Sequence, residues 1–430
     1  MTTFLEAEVV VIGAGVAGLG AAIEAARNKL SVCLVESSSR IGGVIAQCPG
    51  MPLGAAFPCD KSIGGLLHEF AGKLINMTPP AAEIRPCALH EFGPEIVYDQ
   101  EVALVVLYQM LDQANVNLLL NTTAIKPVMD ENHLVHLLCS NRNGSLTING
   151  KVFIDCSGDG DIAAKAGVPF QLGDDNGHMM GASMTFIMDN VNWEKAFTNN
   201  TDPYFTAYAA KGIAEGRLHD DLHKIYIMKG FYQDTAFFNS VVINNVNWND
   251  QLETAIASNE ARKRSLQLAQ FAIDEIPGFE KARLACLGPG LGIRETRKFE
   301  GLYRLTANDL AGAVKFDDGV VACDNPVDDV FRGANKMTHD RIVAEGDYYT
   351  IPFRTMVPAH VENLLFAGRN ISADPVAFAS VRGMSQCMIL GQACGAAAQQ
   401  VVEKNCPVQA IDTKALVRVL AAGGVYGLSV

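Results

Sequence analysis

The sequence lacks any run of about eighteen or more apolar residues, so no membrane-spanning helix is expected. Its nearest approach, Cys387 to Ala398, is too short and carries Gln392. No basic stretch followed by an apolar one precedes the first strand, so no signal peptide is expected. Positive charge is also scarce. The 34 Lys and Arg stand against 47 Asp and Glu, a net charge of −13, without the basic field that nucleic-acid binding needs. The 11 cysteines are scattered, with no CxxC pair and no metal-type spacing, so no metal site is expected. Such thiols in a chain without a leader point to a reducing cytoplasm. Charged residues make up only 19% and hydrophobic ones 49% of 430, enough for a large core and for two domains.

The first forty residues carry the clearest pattern. The apolar run Val9–Ile12 leads into Gly13-Ala14-Gly15-Val16-Ala17-Gly18, then a small-residue helix, then Val32–Val35 and Glu36. This strand–turn–helix–strand order, closed by an acid, is the layout that grips the ADP half of a dinucleotide. Gly13 permits the tight turn, Gly15 lets a pyrophosphate approach the backbone, and Gly18 lets the helix lie close to the strand. Unpaired N–H groups at the helix start face the phosphates. Glu36 is placed to accept hydrogen bonds from ribose hydroxyls. This unit alone leaves NAD and FAD open.

Downstream, Gly42-Gly43 suits a loop passing close to a ligand. Arg40 is either a cofactor contact or a solvated loop residue. Residues 44–99 hold seven prolines and read mostly as loops, with one short helix near Ile63–Leu74. A helix from Glu101 to Ala114, strands near 116–120 and 124–129, and a hairpin around Asn143-Gly144 follow. The strand Val152–Asp155 then enters a second turn, Cys156-Ser157-Gly158-Asp159-Gly160-Asp161. An antiparallel crossover before a Gly/Asp turn is the layout of large flavin-binding domains. A long helix spans Asn249 to Glu275, ended by Pro277-Gly278. Near the end, Asn363–Arg369 is another strand entering a glycine turn, followed by a helix from Met384 in which Gly391 and Gly395 share one face.

Several stretches together resemble the broad FAD-dependent oxidoreductase family related to glutathione-reductase-type and fumarate-reductase-type flavoproteins. They are the first glycine turn, Glu36 with Gly42-Gly43, Ile154–Asp161, Leu291–Arg297, Ile351–Arg354, Asn363–Arg369, Ser380–Met384 and Gly391–Gly395. The resemblance implies an α/β fold. A Rossmann-like FAD-binding domain, a parallel sheet with an antiparallel crossover, would be built from discontinuous segments 1–170 and 351–405. An α+β substrate domain at 171–350 would be inserted in it, with 406–430 as a C-terminal clasp and 44–99 contributing to the substrate side. It implies FAD held by Gly13, Gly15, Ala17, Gly18, Glu36, Arg40, Gly42, Gly43, Ala124, Gly158, Asp159, Gly368, Arg369, Ser380, Gly383 and Met384. The helix start at Gly383-Met384 would aim its positive end at the flavin.

Two-electron (hydride) transfer needs a substrate held over the flavin and a group to manage the proton. Arg294, Arg297, Arg354 and Arg382 are candidate clamps for a carboxylate-bearing substrate, or else bind FAD phosphates or neighbouring acids. His178, His339, His360, Tyr348 and Tyr349 are candidate proton carriers. Arg294, Arg354 and His339 are the catalytic choices. Asp159 and Asp161 either cap the following helix or meet the cofactor. Cys48 and Cys59 are too far apart for the tight redox pair of disulfide reductases. The expected activity is an FAD-dependent dehydrogenase or reductase acting on a small organic molecule with an electron acceptor or donor. The rivals are an electron-transfer subunit working with a partner protein and an NAD(P)H-linked flavin reductase. A homo-oligomer is left open.

Overall fold

The computed structural model describes residues 3–198, 202–330, 332 and 337–429. The main sheet runs in the order Asn117–Leu119, Val32–Val35, Thr3–Ile12, Gly144–Asp155, with parallel pairing throughout. Leu364–Phe366 adds in parallel to the last three residues of Gly144–Asp155. The first half of that strand instead pairs antiparallel with His133–Asn141, which pairs in turn with Thr123–Asp130. One continuous strand therefore serves both the parallel sheet and the crossover, where two shorter strands were expected. Val9, Val10 and Val11 are fully buried, as a strand covered on both faces requires. The glycine turn, Glu36, the Ser157 turn and Gly368 all follow the carboxyl ends of parallel strands. That edge is where open α/β sheets bind ligands.

The helix Val16–Arg27 lies against the helix Met384–Lys404 with backbones nearly touching. A Cβ on Gly391 would stand 1.8 Å from the Ala17 carbonyl oxygen, and one on Gly395 would stand 2.4 Å from that of Ala21. Gln392 ties the pair to a third helix, Gly65–Ile75: its amide donates to Glu24 at 3.0 Å and its carbonyl accepts from the Leu66 N–H at 2.9 Å.

A second core forms around a four-stranded antiparallel sheet ordered Ile227–Lys229, Ala236–Ile243, Ala182–Asp189, Arg283–Leu287. The helix Gln251–Glu275 covers it through Ala257, Ala261, Leu268 and Ala272, and starts at Asp250, whose side chain accepts from the Leu252 and Glu253 N–H groups. Phe186 stacks on Phe238 at 4.4 Å within this core. The separation of cores does not fall at 350. Leu305, Val320, Val321, Tyr349 and Ile351 bury into the first core with the nucleotide-side helices, as do Leu416 and Leu420 of the tail. Residues 44–99 are also more ordered than expected. Ala82–Pro86 and Pro94–Tyr98 form an antiparallel hairpin.

Candidate functional site

A cleft of about 630 Å³ runs along the carboxyl edge of the main sheet. Gly13, Gly15, Ala17, Glu36, Arg40 and Gly43 line one stretch of it, and Ala124, Gly158, Asp159, Gly368, Arg369 and Met384 line the rest. A Cβ on Gly15 would meet nothing nearer than the Gly43 Cα at 3.9 Å, so the space above it is open. Gly13 has φ +92°, and its turn is packed against the Cys156-Ser157 backbone. The helix Val16–Arg27 begins here with its first N–H groups at the cleft. An open glycine cradle at a helix start, continued by the strand ends, fits the elongated diphosphate of FAD.

Glu36 holds the cradle together: its carboxylate accepts from the Ala14 N–H at 2.7 Å and the Ser38 N–H at 2.8 Å. Arg40 pairs with Glu101 at 2.6 Å while lining the cleft. Asp159 and Arg369 form an ion pair, and Thr296 donates to Asp159 at 2.9 Å. The cap of the helix Asp161–Lys165 comes from Asp155, neither Asp159 nor Asp161. The fully buried Asp155 carboxylate accepts from the Ile162 and Ala163 N–H groups at 2.9 and 2.8 Å. Gly18, Gly42, Ser380 and Gly383 lie behind the wall. A Cβ on Gly18 would stand 1.8 Å from the Gly13 carbonyl oxygen, and one on Gly42 would stand 2.6 Å from Leu104 Cδ2. Ser380 is buried with its hydroxyl 2.7 Å from that of Tyr349. Gly383 caps the helix whose first residue, Met384, does line the cleft.

A second cavity of about 400 Å³ adjoins this cleft. Residues 289–294 form the partition: Pro289, Gly290, Leu291 and Ile293 face the cleft, and Arg294 lines the cavity. The Arg382–Asp328 pair also bridges the two spaces, Arg382 lining the cleft and Asp328 the cavity, joined at 2.6 Å. His339 completes the group, its Nδ1 3.1 Å from the other Asp328 oxygen and its ring edge-on to Phe92 at 5.5 Å. Burial would raise the Asp328 carboxyl. The Arg382 charge, the His339 hydrogen bond and the Arg294 charge outweigh it and hold the group below the ordinary aspartate value. Arg294 donates to the Gly181 carbonyl and the Ser183 hydroxyl, both at 2.9 Å and both neutral. Burial, then the neighbouring Arg382 charge, brings its guanidinium down to about 10, so it remains charged at neutral pH.

The structure brings Arg294, Arg382 and His339 together and leaves the other candidates elsewhere. Arg354 lines neither space. It pairs with Asp318 at 2.9 Å and lies over the Tyr303 ring at 5.1 Å. Arg297 pairs with Asp161 at 2.8 Å over Phe170. His178 pairs with Asp174 at the surface, His360 is exposed, Tyr348 lies under the Lys315 ammonium, and Tyr349 is buried against Ser380. Cys48 and Cys59 are both free thiols. Burial pushes the Cys48 thiol up to about 11, far from a reactive thiolate. Glu295, in the same motif as Arg294, is fully buried. It pairs with Lys298, with Arg332 at 3.1 Å and with the Met180 N–H at 2.9 Å, which fixes the partition in place. Asp328 and Asp155 were not singled out as functional. Asp328 follows no motif, whereas Asp155, ending an apolar strand before a glycine turn, carried a readable signal.

Parallel strand ends, a glycine cradle and an adjoining cavity define a protein of the dinucleotide-binding class. Residues 8–420 match the family model described as FAD dependent oxidoreductase; the chain belongs to that family, and its cofactor is FAD. Among solved structures, the flavin-dependent brominase Bmp2 is similar at 14% identity over 97% of this chain and 83% of that one, with a TM-score of 0.52. Two others have TM-scores of 0.48 and 12% identity. The p-nitrophenol 4-monooxygenase PnpA from Pseudomonas putida covers 98% of this chain and 81% of its own. A geranylgeranyl bacteriochlorophyll reductase-like protein from Thermoplasma acidophilum covers 97% and 84%. At these identities Bmp2 shows the fold alone and the other two carry no argument. Among curated proteins nothing matches the chain. Among the described residues no helix is long and apolar enough to cross a membrane, and no cluster of residues could hold a metal ion.

Proposed function

We propose that this FAD-dependent oxidoreductase carries out two-electron chemistry on a small organic anion, such as a carboxylate, seated in the 400 Å³ cavity. The observation that carries the reading is Arg294. Among the described residues its hydrogen bonds go to two neutral oxygens, and no acid pairs with it. Arg382 and Asp328 neutralise each other, so the junction keeps one surplus positive charge. A half-buried guanidinium with no acid hydrogen-bonded to it favours an anionic guest.

FAD, when bound, supplies the acceptor or donor of the electron pair. Arg294 anchors the substrate's anionic group and fixes its orientation. His339, its Nδ1 3.1 Å from Asp328 and its ring lining the cavity, is the residue placed to carry the proton. Phe92 restrains the imidazole ring, and Arg382 keeps Asp328 ionised. The glycine cradle, Glu36, Ala124 and the Asp159–Arg369 pair hold the dinucleotide. We read residues 1–170 with 351–405 as the FAD-binding part, residues 171–350 as the substrate part and 406–430 as a clasp. The second core supports the substrate part over residues 182–291, whereas Leu305 to Tyr349 pack into the first core and place the border earlier than 350. The 11 free thiols support a cytoplasmic location.

Titration of the FAD-loaded protein with hexanoate and with neutral hexanamide, followed by the flavin absorbance, tests the reading. Hexanoate is expected to bind at least about tenfold more tightly, and Arg294→Gln to abolish the preference. Equal binding of both compounds by the wild type would overturn it. So would reduction of the flavin by a partner protein alone, with no small molecule engaging the cavity.

A further inference from the structure

The charged groups around the cavity, with the wall residues already paired, fall into three sets. The first is the Arg294, Asp328 and His339 cluster at the partition. The second is already paired within the wall. Glu95 accepts from Arg85 at 3.2 Å, Asp221 pairs with Arg264 at 2.8 Å, the Ser240 hydroxyl donates to the Tyr226 carbonyl at 3.0 Å, and the Tyr226 hydroxyl donates to the Met228 sulfur at 3.1 Å. The third, His223 and Lys224, is exposed at the rim, with Lys224 lying over the Tyr204 ring at 4.6 Å. Tyr204, Asn239 and Asn244 add neutral polar groups, the Asn239 amide oxygen being a buried acceptor without a partner among the described residues, and the rest of the wall is apolar, with Met51, Leu89, Phe92, Leu222, Val242 and Val330 lining the space. Leu222, Met228 and Val330 are themselves buried.

We infer that the substrate is a monoanion with an apolar body, its charged end at Arg294 and its body along the Leu222, Met228 and Val330 wall. The inference rests on the proposed anion site and narrows it. A dicarboxylate would need a second cation inside the cavity. Among the described lining residues the other cationic side chains are His339, engaged by Asp328, and the two at the rim. A second carboxylate would therefore find no free cation inside, only apolar side chains, neutral Tyr204 and Asn244, and the unpaired Asn239 amide oxygen, itself an acceptor, and would give up its hydration without a counter-charge. An alkyl or aryl body loses nothing polar there and gains from leaving water. At about 400 Å³ the space lies at the small end of ligand cavities, which run from about 300 to 1,000 Å³. The body is thus a medium-length chain or a single ring system.

The test is a binding series on the FAD-loaded protein: butanoate, hexanoate, octanoate and decanoate, each beside the α,ω-dicarboxylate of the same length, read by flavin absorbance and by calorimetry. The monoanions are expected to gain about fourfold in affinity per added methylene until the cavity is full. Each dicarboxylate should bind at least about tenfold more weakly than its monoanion. Met228→Gln should flatten the chain-length dependence while sparing butanoate, whereas Arg294→Gln should weaken the whole series. Absorbance of the bound flavin confirms that each variant is folded and loaded. A flat chain-length series, or dicarboxylates that match or exceed the monoanions, would overturn the apolar-body inference while leaving the anion site standing. No binding by any anion would sink the anion site itself.

Discussion

Asp328 shows how much of this site depends on one side chain's neighbours. Its carboxylate holds Arg382 on one oxygen and His339 on the other, and Arg294 stands close enough to help keep it ionised. Because its folded-state value lies below the unfolded one, it contributes stability above the ordinary carboxylate value of about 3.9. That contribution is lost as the pH falls through the depressed value. Asp328→Asn should therefore destabilise the protein by about 3 kcal/mol at neutral pH, because it strands the Arg382 charge. Urea denaturation should show the gap to wild type narrowing below about pH 4. A gap that stays constant with pH would mean that the carboxylate's charge does not matter. Nothing local in the sequence marks Asp328, which sits in an ordinary Val327–Val330 strand. The four arginines offered as clamps also looked alike in sequence. Long-range packing separates them, with Asp318 and two aromatic rings claiming Arg354 while Gly181 and Ser183 leave Arg294 without an acid.

Among elements, the crossing of helices Val16–Arg27 and Met384–Lys404 is the joint on which the cleft depends. The first carries the glycine cradle at its start, and the second begins at the flavin-side wall. Gly391 allows the helices to approach within backbone contact. Gly391→Ala should force them apart and cost about 3 kcal/mol by thermal or urea unfolding, with weaker FAD retention. A wild-type melting curve and full flavin content would show that the joint has slack. This joint was legible, because two glycines four residues apart leave one helix face bare. The Ala82–Pro86 and Pro94–Tyr98 hairpin was not, since prolines at its ends read as loop signals. The 12-residue strand Gly144–Asp155 read as two pieces because Gly150 interrupts the apolar pattern. Its missing Cβ leaves room for the Val10 and Phe153 side chains.

For the whole molecule, the cofactor half was readable from one end of the chain to the other. Three pieces of it, at Gly13, Gly158 and Gly368, follow strand ends with a glycine turn, a local signal that survives without knowledge of the fold. The substrate half was less readable: the sequence offered residues 44–99, Arg294 and His339 for it, but not how its cavity gathers that segment, the second core's sheet and the paired strands of Asp328 and His339, which meet only in three dimensions. The central claim is that these halves meet at Arg294 and Arg382, with the flavin in the cleft and an anion in the cavity, in contact with each other past residues 289–294. A crystal structure of the FAD complex tests it most directly. The account predicts the diphosphate at the Gly13–Gly18 turn, and the isoalloxazine between Gly43 and Met384 with one face open to the cavity that holds Arg294. A ring turned away from that cavity, or sealed from it by residues 289–294, would contradict the account.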